Sequence, residues 1–156
     1  MGRNVERTLV LIKPDAMQRG LAGEILARLE RRGLRIVAMR LFQMDEALAR
    51  RHYAEHEGKR FYDGLISYIT ACPIIAAVLE GTDAVNTVRN TMGATNPAAA
   101  DPGTIRGDLA MEMGRNLIHG SDSLESAKRE TALFFREDEM HTYPRDVDRW
   151  VFEGDF

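Results

Sequence analysis

The chain has 156 residues, 44% of them hydrophobic and 29% charged, with 21 Lys and Arg set against 24 Asp and Glu. Such a length and balance suit a globular fold with a proper core, and without a basic block they do not suggest general binding of nucleic acid through its phosphate backbone, leaving a local basic pocket open. The single cysteine, Cys72, excludes an intramolecular disulfide. No apolar run approaches the ~18 residues of a membrane span, and Met1-Gly2 is followed by Glu6 where an acylation site needs Ser or Thr, so a cytoplasmic location is expected.

Thr8 to Ile12 is a β-prone apolar run that reads as a central strand buried on both faces, and Lys13-Pro14-Asp15 ends it. Gly23 to Arg32 puts Ile25, Leu26 and Leu29 on one side of an amphipathic helix, and Gly33 stops it. Leu34 to Phe42 is a second strand. Asp45 can cap a helix running to about Glu57, Gly58 breaks the chain, and Phe61 to Ile69 forms the other arm of a helical hairpin. Pro73 opens a third buried strand over Ile74 to Leu79, and Gly81-Thr82-Asp83 caps a short helix through about Met92. Gly93 to Gly114 is a long loop, the kind that is functional or makes an interface.

Leu117-Ile118-His119 is the fourth strand. Ser123 then caps a helix whose face is Leu124, Ala127, Thr131, Phe134 and Phe135. The tail over 137–156 is irregular, yet Tyr143, Trp150, Val151, Phe152 and Phe156 are too apolar for a free end, so it should pack on its own or a neighbouring subunit. The order implies one domain over 1–156, built on a βαββαβ core. That is a ferredoxin-like α+β fold, a four-stranded antiparallel sheet with helices on one face.

His119 stands where a strand end and a helix start can face an anion together, and its imidazole could serve as base, metal ligand or nucleophile. Alone it reads equally well as a turn histidine held by a backbone carbonyl. The sequence contains neither Gly-x-x-x-x-Gly-Lys-Ser/Thr nor Gly-x-Gly-x-x-Gly, so any phosphates must be bound by side chains: Lys13, Arg89, Thr95 and Arg106 are the candidates. A rival constellation is His52-Tyr53-Ala54-Glu55-His56, which fits a His-x-x-Glu-His zinc-hydrolase pattern on the predicted helix, with Glu125 or Glu130 as a third ligand.

Asn116-x-x-His119-Gly-Ser-Asp-Ser123, together with Lys13-Pro-Asp15, Arg19-Gly20, Thr95-Asn-Pro97 and Pro102-Gly-Thr-Ile-Arg106, resembles nucleoside diphosphate kinase from about Glu6 to Glu153. The resemblance implies ping-pong transfer of the γ-phosphate of a nucleoside triphosphate, such as ATP, to a nucleoside diphosphate through a phosphohistidine. His119 would then be the nucleophile, phosphorylated at its pros nitrogen, with Glu130 orienting it, Ser121 as a neighbouring hydroxyl and Lys13 assisting. Lys13, Tyr53, Arg89, Thr95, Arg106 and Asn116 match positions that bind phosphates and ribose. Phe61 matches the aromatic under the base, with Leu65 and Met113 near its other side, an arrangement that tolerates any base. Mg²⁺ would ride on the nucleotide phosphates and water, without an Asp/Glu cage.

The chain departs from the family pattern at Ala71-Cys72-Pro73, where Ser-Gly-Pro is usual, and at Lys59-Arg60-Phe61-Tyr62, where Arg-Pro-Phe-Phe is usual. The first questions the local backbone, because Cys takes positive φ only at a cost. Trp150-Val151-Phe152-Glu153 resembles the long C-terminus of hexameric members rather than tetrameric ones, which implies a hexamer with Gly93 to Gly114 in the trimer contact. The alternative from another class is a regulatory or scaffold protein on the same fold; the intact His119, Lys13, Arg89, Arg106 and Glu130 favour catalysis.

Overall fold

The computed structural model describes residues 4–154, so Met1-Gly2 and Phe156, on which the acylation and tail expectations drew, lie outside it. In chain order the elements are β1 (Val5–Ile12), α1 (Pro14–Gln18), α2 (Ala22–Arg31), β2 (Arg35–Phe42), α3 (Glu46–His52) and α4 (Tyr62–Ile69), then β3 (Ile74–Thr82), α5 (Ala84–Met92), α6 (Ile105–Leu109), β4 (Ile118–Gly120), α7 (Leu124–Phe134) and α8 (Asp148–Val151). The strands form one antiparallel sheet in the order β2-β3-β1-β4.

The two central strands explain the layering. Leu9, Val10, Leu11 and Ile12 of β1 are all fully buried, as are Ala76 to Leu79 of β3. An unbroken apolar run leaves no face for water, so each face needs a cover. Leu9, Leu11, Ala76 and Val78 pack with Leu48 and Ala49 of α3, Ile66 and Ile69 of α4 and Phe134 of α7. Val10, Ile12, Ala77 and Leu79 pack with Ile25 and Leu29 of α2 and Val88 and Met92 of α5. The helices therefore cover both faces of the ferredoxin-like sheet, not one as the strand order suggested.

Register decides where the chemistry sits. His119 lies opposite Leu11, with Ile118 opposite Ile12 and Gly120 opposite Val10. Opposed residues of an antiparallel pair share a face, so His119 looks into the α3, α4 and α7 layer. Lys13 follows Leu11 by two residues and inherits the same side. Gly120 is demanded by the other side: a Cβ there would come within 2.6 Å of Met92 Sδ and 2.9 Å of Val88 Cγ1.

Local signals hold where a cap is present. The Asp45 carboxylate accepts the Leu48 amide at 2.7 Å and the Ser123 hydroxyl accepts the Ser126 amide at 3.0 Å. Three short helices were not expected. One of them, α6, is started by Thr104, whose hydroxyl accepts the Gly107 amide at 3.0 Å. Helix α3 stops at His52 instead of reaching Glu57, and a separate 3-10 turn, Ala54–His56, follows. Asp83 heads α5 at φ 46° without a side-chain cap, and Leu124 is exposed rather than part of the α7 core face. Among the described non-glycine residues positive φ occurs at Asp83 and Leu117, so Cys72 brings no such strain.

The tail is fastened largely by polar groups, among them the Tyr143 hydroxyl, which donates to the Ile36 carbonyl at 2.5 Å. Arg35 donates to the Tyr143 carbonyl at 2.6 Å, Arg145 donates to the Leu34 and Gly33 carbonyls at 3.0 and 2.9 Å, and both arginines hold the buried Asp148. Trp150, by contrast, is 80% exposed.

Candidate active site

The site begins with a kink. Leu117 is fully buried yet sits at φ 74°, a conformation that costs a leucine about 1–3 kcal/mol and persists only where neighbours enforce it. Asp15 Oδ2 accepts the Leu117 amide at 3.0 Å, and the Lys13 amide donates to the Leu117 carbonyl at 2.9 Å. Asp15 is itself gripped by a short hydrogen bond from the Tyr68 hydroxyl. The kink lets a strand of three residues turn Asn116 and His119 into one cleft.

His119 is half-buried, and its partner is a carboxylate, not the backbone carbonyl of the bland reading. Its Nε2 lies 2.7 Å from Glu130 Oε1, two turns into α7. Burial alone would raise the pKa of Glu130, but the His119 hydrogen bond and the charge of the ring hold it down at about 2. An ionised carboxylate can only accept, so Nε2 carries the proton and Nδ1 keeps a free lone pair. Behind the ring stands His52, edge to face at 4.8 Å between centroids. Burial, with His119 nearby, lowers the His52 pKa to about 3 and keeps this second imidazole neutral.

Three cations converge on the same cleft. Lys13 Nζ donates to Asn116 Oδ1 at 2.9 Å, and Asn116 Nδ2 donates to the Thr95 carbonyl at 3.0 Å. The buried Arg106 guanidinium donates to the carbonyls of Asn116, Gly93 and Ile118 at 3.2, 3.1 and 2.7 Å. Arg89 donates to the Gly120 carbonyl at 3.2 Å. Burial of its amine, with Arg106 nearby, pushes Lys13 down to about 8; burial, with Arg89 nearby, pushes Arg106 down to about 10. Among the described residues none of the three is ion-paired. Crowded, unneutralised positive charge of this kind is relieved by an anion.

The cleft has a volume of about 330 Å³, and its walls include Lys13, Tyr53, Leu65, Arg89, Thr95, Arg106, Asn116, His119 and Glu130. A larger cavity of about 740 Å³ beside Gly33, Thr82 and Phe152 has no histidine, cysteine, serine or lysine among its lining residues. Ser121 is buried beneath the cleft, not on its wall. Phe61 and Met113 stand outside it, 54% and 59% exposed, and the Phe61 ring reaches the wall through His56 at 5.4 Å. Glu55, His56, Asp122, Ser126 and Arg129 line the cleft too, and sequence reasoning gave them no part in a phosphate site. His52 was seen only as half of the zinc pattern. That pattern fails as drawn: α3 ends at His52, so His52 is buried while His56 is partly exposed on the next turn, and the two do not share a helical face.

An imidazole whose Nε2–H is held by a carboxylate can take up a phosphoryl group on its other nitrogen, and cations that lack counterions can offset the charge of the phosphate oxygens. Fold and site thus define a phosphotransferase working through histidine. Residues 6–140 match the family model described as nucleoside diphosphate kinase. The nucleoside diphosphate kinase of Thermomicrobium roseum is 57% identical over 147 residues, covering 94% of this chain and 99% of that protein. The one from Roseiflexus castenholzii is 57% identical over 149 residues, covering 96% of this chain and 100% of that one. A solved structure of the halophilic nucleoside diphosphate kinase from Halobacterium salinarum in complex with CDP superposes with a TM-score of 0.92 at 53% identity, covering 95% of this chain and 99% of that one. The chain belongs to the nucleoside diphosphate kinase family.

Proposed function

We propose that this chain transfers the terminal phosphoryl group of a nucleoside triphosphate to Nδ1 of His119 and from there to a nucleoside diphosphate. It is an enzyme of the transferase class, a kinase of nucleotide metabolism. The observation that carries the residue assignment is the free Nδ1, left open by the 2.7 Å bond between Nε2 and Glu130, facing a cleft with Lys13, Arg89 and Arg106.

In the first half-reaction the Nδ1 lone pair attacks the γ-phosphorus in line. The bond from that phosphorus to the bridging oxygen breaks, and its electrons leave with the nucleoside diphosphate. The phosphorylated ring then carries a positive charge shared with Nε2–H, directly against the Glu130 carboxylate. Lys13, Arg89 and Arg106 offset the charge on the phosphate oxygens, which is where most of the catalysis of such transfers lies. The second half-reaction reverses these steps onto another diphosphate.

Tyr53, Thr95 and Asn116 complete the phosphate and ribose contacts, and the base lies on Phe61 with Leu65 and Met113 across from it. Stacking on one exposed ring favours tolerance of every base. The divalent ion is Mg²⁺, carried by the nucleotide. The donor set suits this arrangement, because the exposed carboxylates on the cleft wall, Glu55 and Asp122, would hold a hydrated ion through its waters, while Glu130 is engaged by His119. When bound, the ion would offset the negative charge of the nucleotide phosphates.

The assembly is a homo-hexamer in the cytoplasm. The exposed Met39 and Leu41 on edge strand β2, and Val147, Trp150 and Val151 on the tail, are apolar surface of the kind that subunit contacts cover. Light scattering should give six chains of 17.6 kDa, and a mass near four would refute the hexamer. Among the described residues no helix is long and apolar enough to cross a membrane.

Intact mass after incubation with ATP and Mg²⁺ tests the chemistry. Wild type should gain ~80 Da and lose it on adding GDP, while His119→Ala gains nothing. Wild type without an adduct would transfer the weight to a regulatory or scaffold role on this fold.

A further inference from the structure

His52 is the group the phosphoryl-transfer reading leaves unemployed. It is 3% exposed, and both its ring nitrogens are buried without a hydrogen-bond partner, as is Glu130 Oε2. A neutral imidazole carries one N–H and one lone pair, so a buried ring with both nitrogens unpaired leaves that lone pair open to a ligand, next to a carboxylate oxygen that has no partner either. Among the described residues His52, His119 and Glu130 form one group whose donor atoms all lie within 4.8 Å of one another.

The geometry points to a second occupant of the active site: a zinc-class divalent ion bound by His52, His119 Nε2 and Glu130, with water or a nucleotide oxygen as fourth ligand. Tetrahedral zinc, with bonds near 2.0–2.2 Å, sets its donors roughly 3.3 Å apart. The Glu130 Oε1 atom lies 2.7 Å from His119 Nε2 and 3.7 Å from His52 Nδ1, which brackets that spacing. Lys13 and Arg129 oppose any cation here, and this chooses the ion. Mg²⁺ gains little from imidazole nitrogen and is repelled. An ion that bonds strongly to two imidazoles and one carboxylate overcomes the field.

Occupancy has a chemical consequence. A neutral imidazole has one proton for two nitrogens. When the metal takes the Nε2 lone pair, the proton that Nε2 donated to Glu130 must sit on Nδ1, where it removes the lone pair that attacks phosphorus. The ion therefore silences the nucleophile without entering the phosphate subsite. This consequence rests on Nδ1 being the phosphorylated atom; the metal site itself does not.

Calorimetric titration of the nucleotide-free protein with Zn²⁺ should find one ion per chain. His52→Gln should weaken binding by more than about 100-fold, since even a hydrogen-bond partner one step removed from a metal is worth roughly 10- to 100-fold. His56→Gln, which removes only the exposed histidine, should leave it unchanged. Melting curves on the same samples show that each variant is folded. Should His52→Gln not fold, X-ray absorption at the zinc edge of the wild type counts the imidazoles directly, with two expected. No binding, unchanged binding in His52→Gln, a loss confined to His56→Gln, or fewer than two imidazoles would each overturn the site. Zinc-loaded wild type should accept phosphate from ATP and Mg²⁺ more slowly. Unslowed transfer by a protein with zinc confirmed at this site would leave the metal site standing and count against Nδ1 as the nucleophile.

Discussion

Replacing Glu130 by Gln tests the link between a hydrogen bond and a nucleophile. The carboxylate accepts Nε2–H of His119 at 2.7 Å, and its pKa near 2 keeps it ionised throughout the working range. The amide fills the same space but has no charge, and one of its two ends is a donor. A hydrogen bond to a charged group contributes about 1.5–3 kcal/mol against roughly 0.5–1.5 for a neutral pair, so about 1.5 kcal/mol of support for the phosphorylated, cationic ring is lost. With 1.36 kcal/mol per decade, phosphorylation should slow about tenfold. It should slow further if the amide turns its NH₂ toward Nε2, because that favours the tautomer with the proton on Nδ1. The loss belongs to the chemical step, since Glu130 contacts the ring and not the nucleotide. Quenched-flow single turnovers with labelled ATP would show a smaller limiting rate at nearly unchanged half-saturation. A limiting rate within twofold of wild type, or a defect confined to half-saturation, would refute the orienting role.

Lys13 titrates near 8, below its ordinary 10.5, so it is cationic below that pH and neutral above it. The kcat/KM for triphosphate should fall as pH rises through about 8, and a flat profile to pH 9.5 would contradict the assignment. The same depression means that folding releases a proton, so the fold should gain stability between pH 8 and 10.5, which denaturant titration at both ends can read. Arg106→Lys keeps one of the three carbonyl bonds and loses two, at about 1 kcal/mol each, so calorimetry should show Tm lower by roughly 4–8 °C. A shift under about 1 °C would mean the fork is not structural. Asp15→Ala orphans the buried Leu117 amide at a cost of about 1–3 kcal/mol, and the freed kink should also lower the phosphorylation rate. Asp15→Asn retains an acceptor and should recover most of both; equal damage from the two would argue against the kink as the cause.

The caps, the buried strands and the histidine run could be read from the chain because each is a local matter. Asp45 and Ser123 start helices through amides three residues on, and the apolar runs in β1 and β3 declare themselves by the lack of polar alternation. The cluster around His119 was legible for the same reason: Asn116, His119, Ser121 and Ser123 lie within eight residues. Helix α3 misled because its pattern continues past His52, while Tyr53 and His52 are drawn into the core and the backbone there takes another course.

What only the tertiary structure decided are relations between residues far apart in sequence. His119 faces α3 and α7 because Leu11, across the strand pair, does. His52 touches His119 across 67 positions and Glu130 binds it across 11, and it is Glu130, ionised by that contact, that settles which ring nitrogen is free. Composition and spacing name the groups that can carry a charge or a proton. Which of them are desolvated together, and therefore shift one another's pKa, depends on distances that exist only once the sheet has closed over its two helical layers.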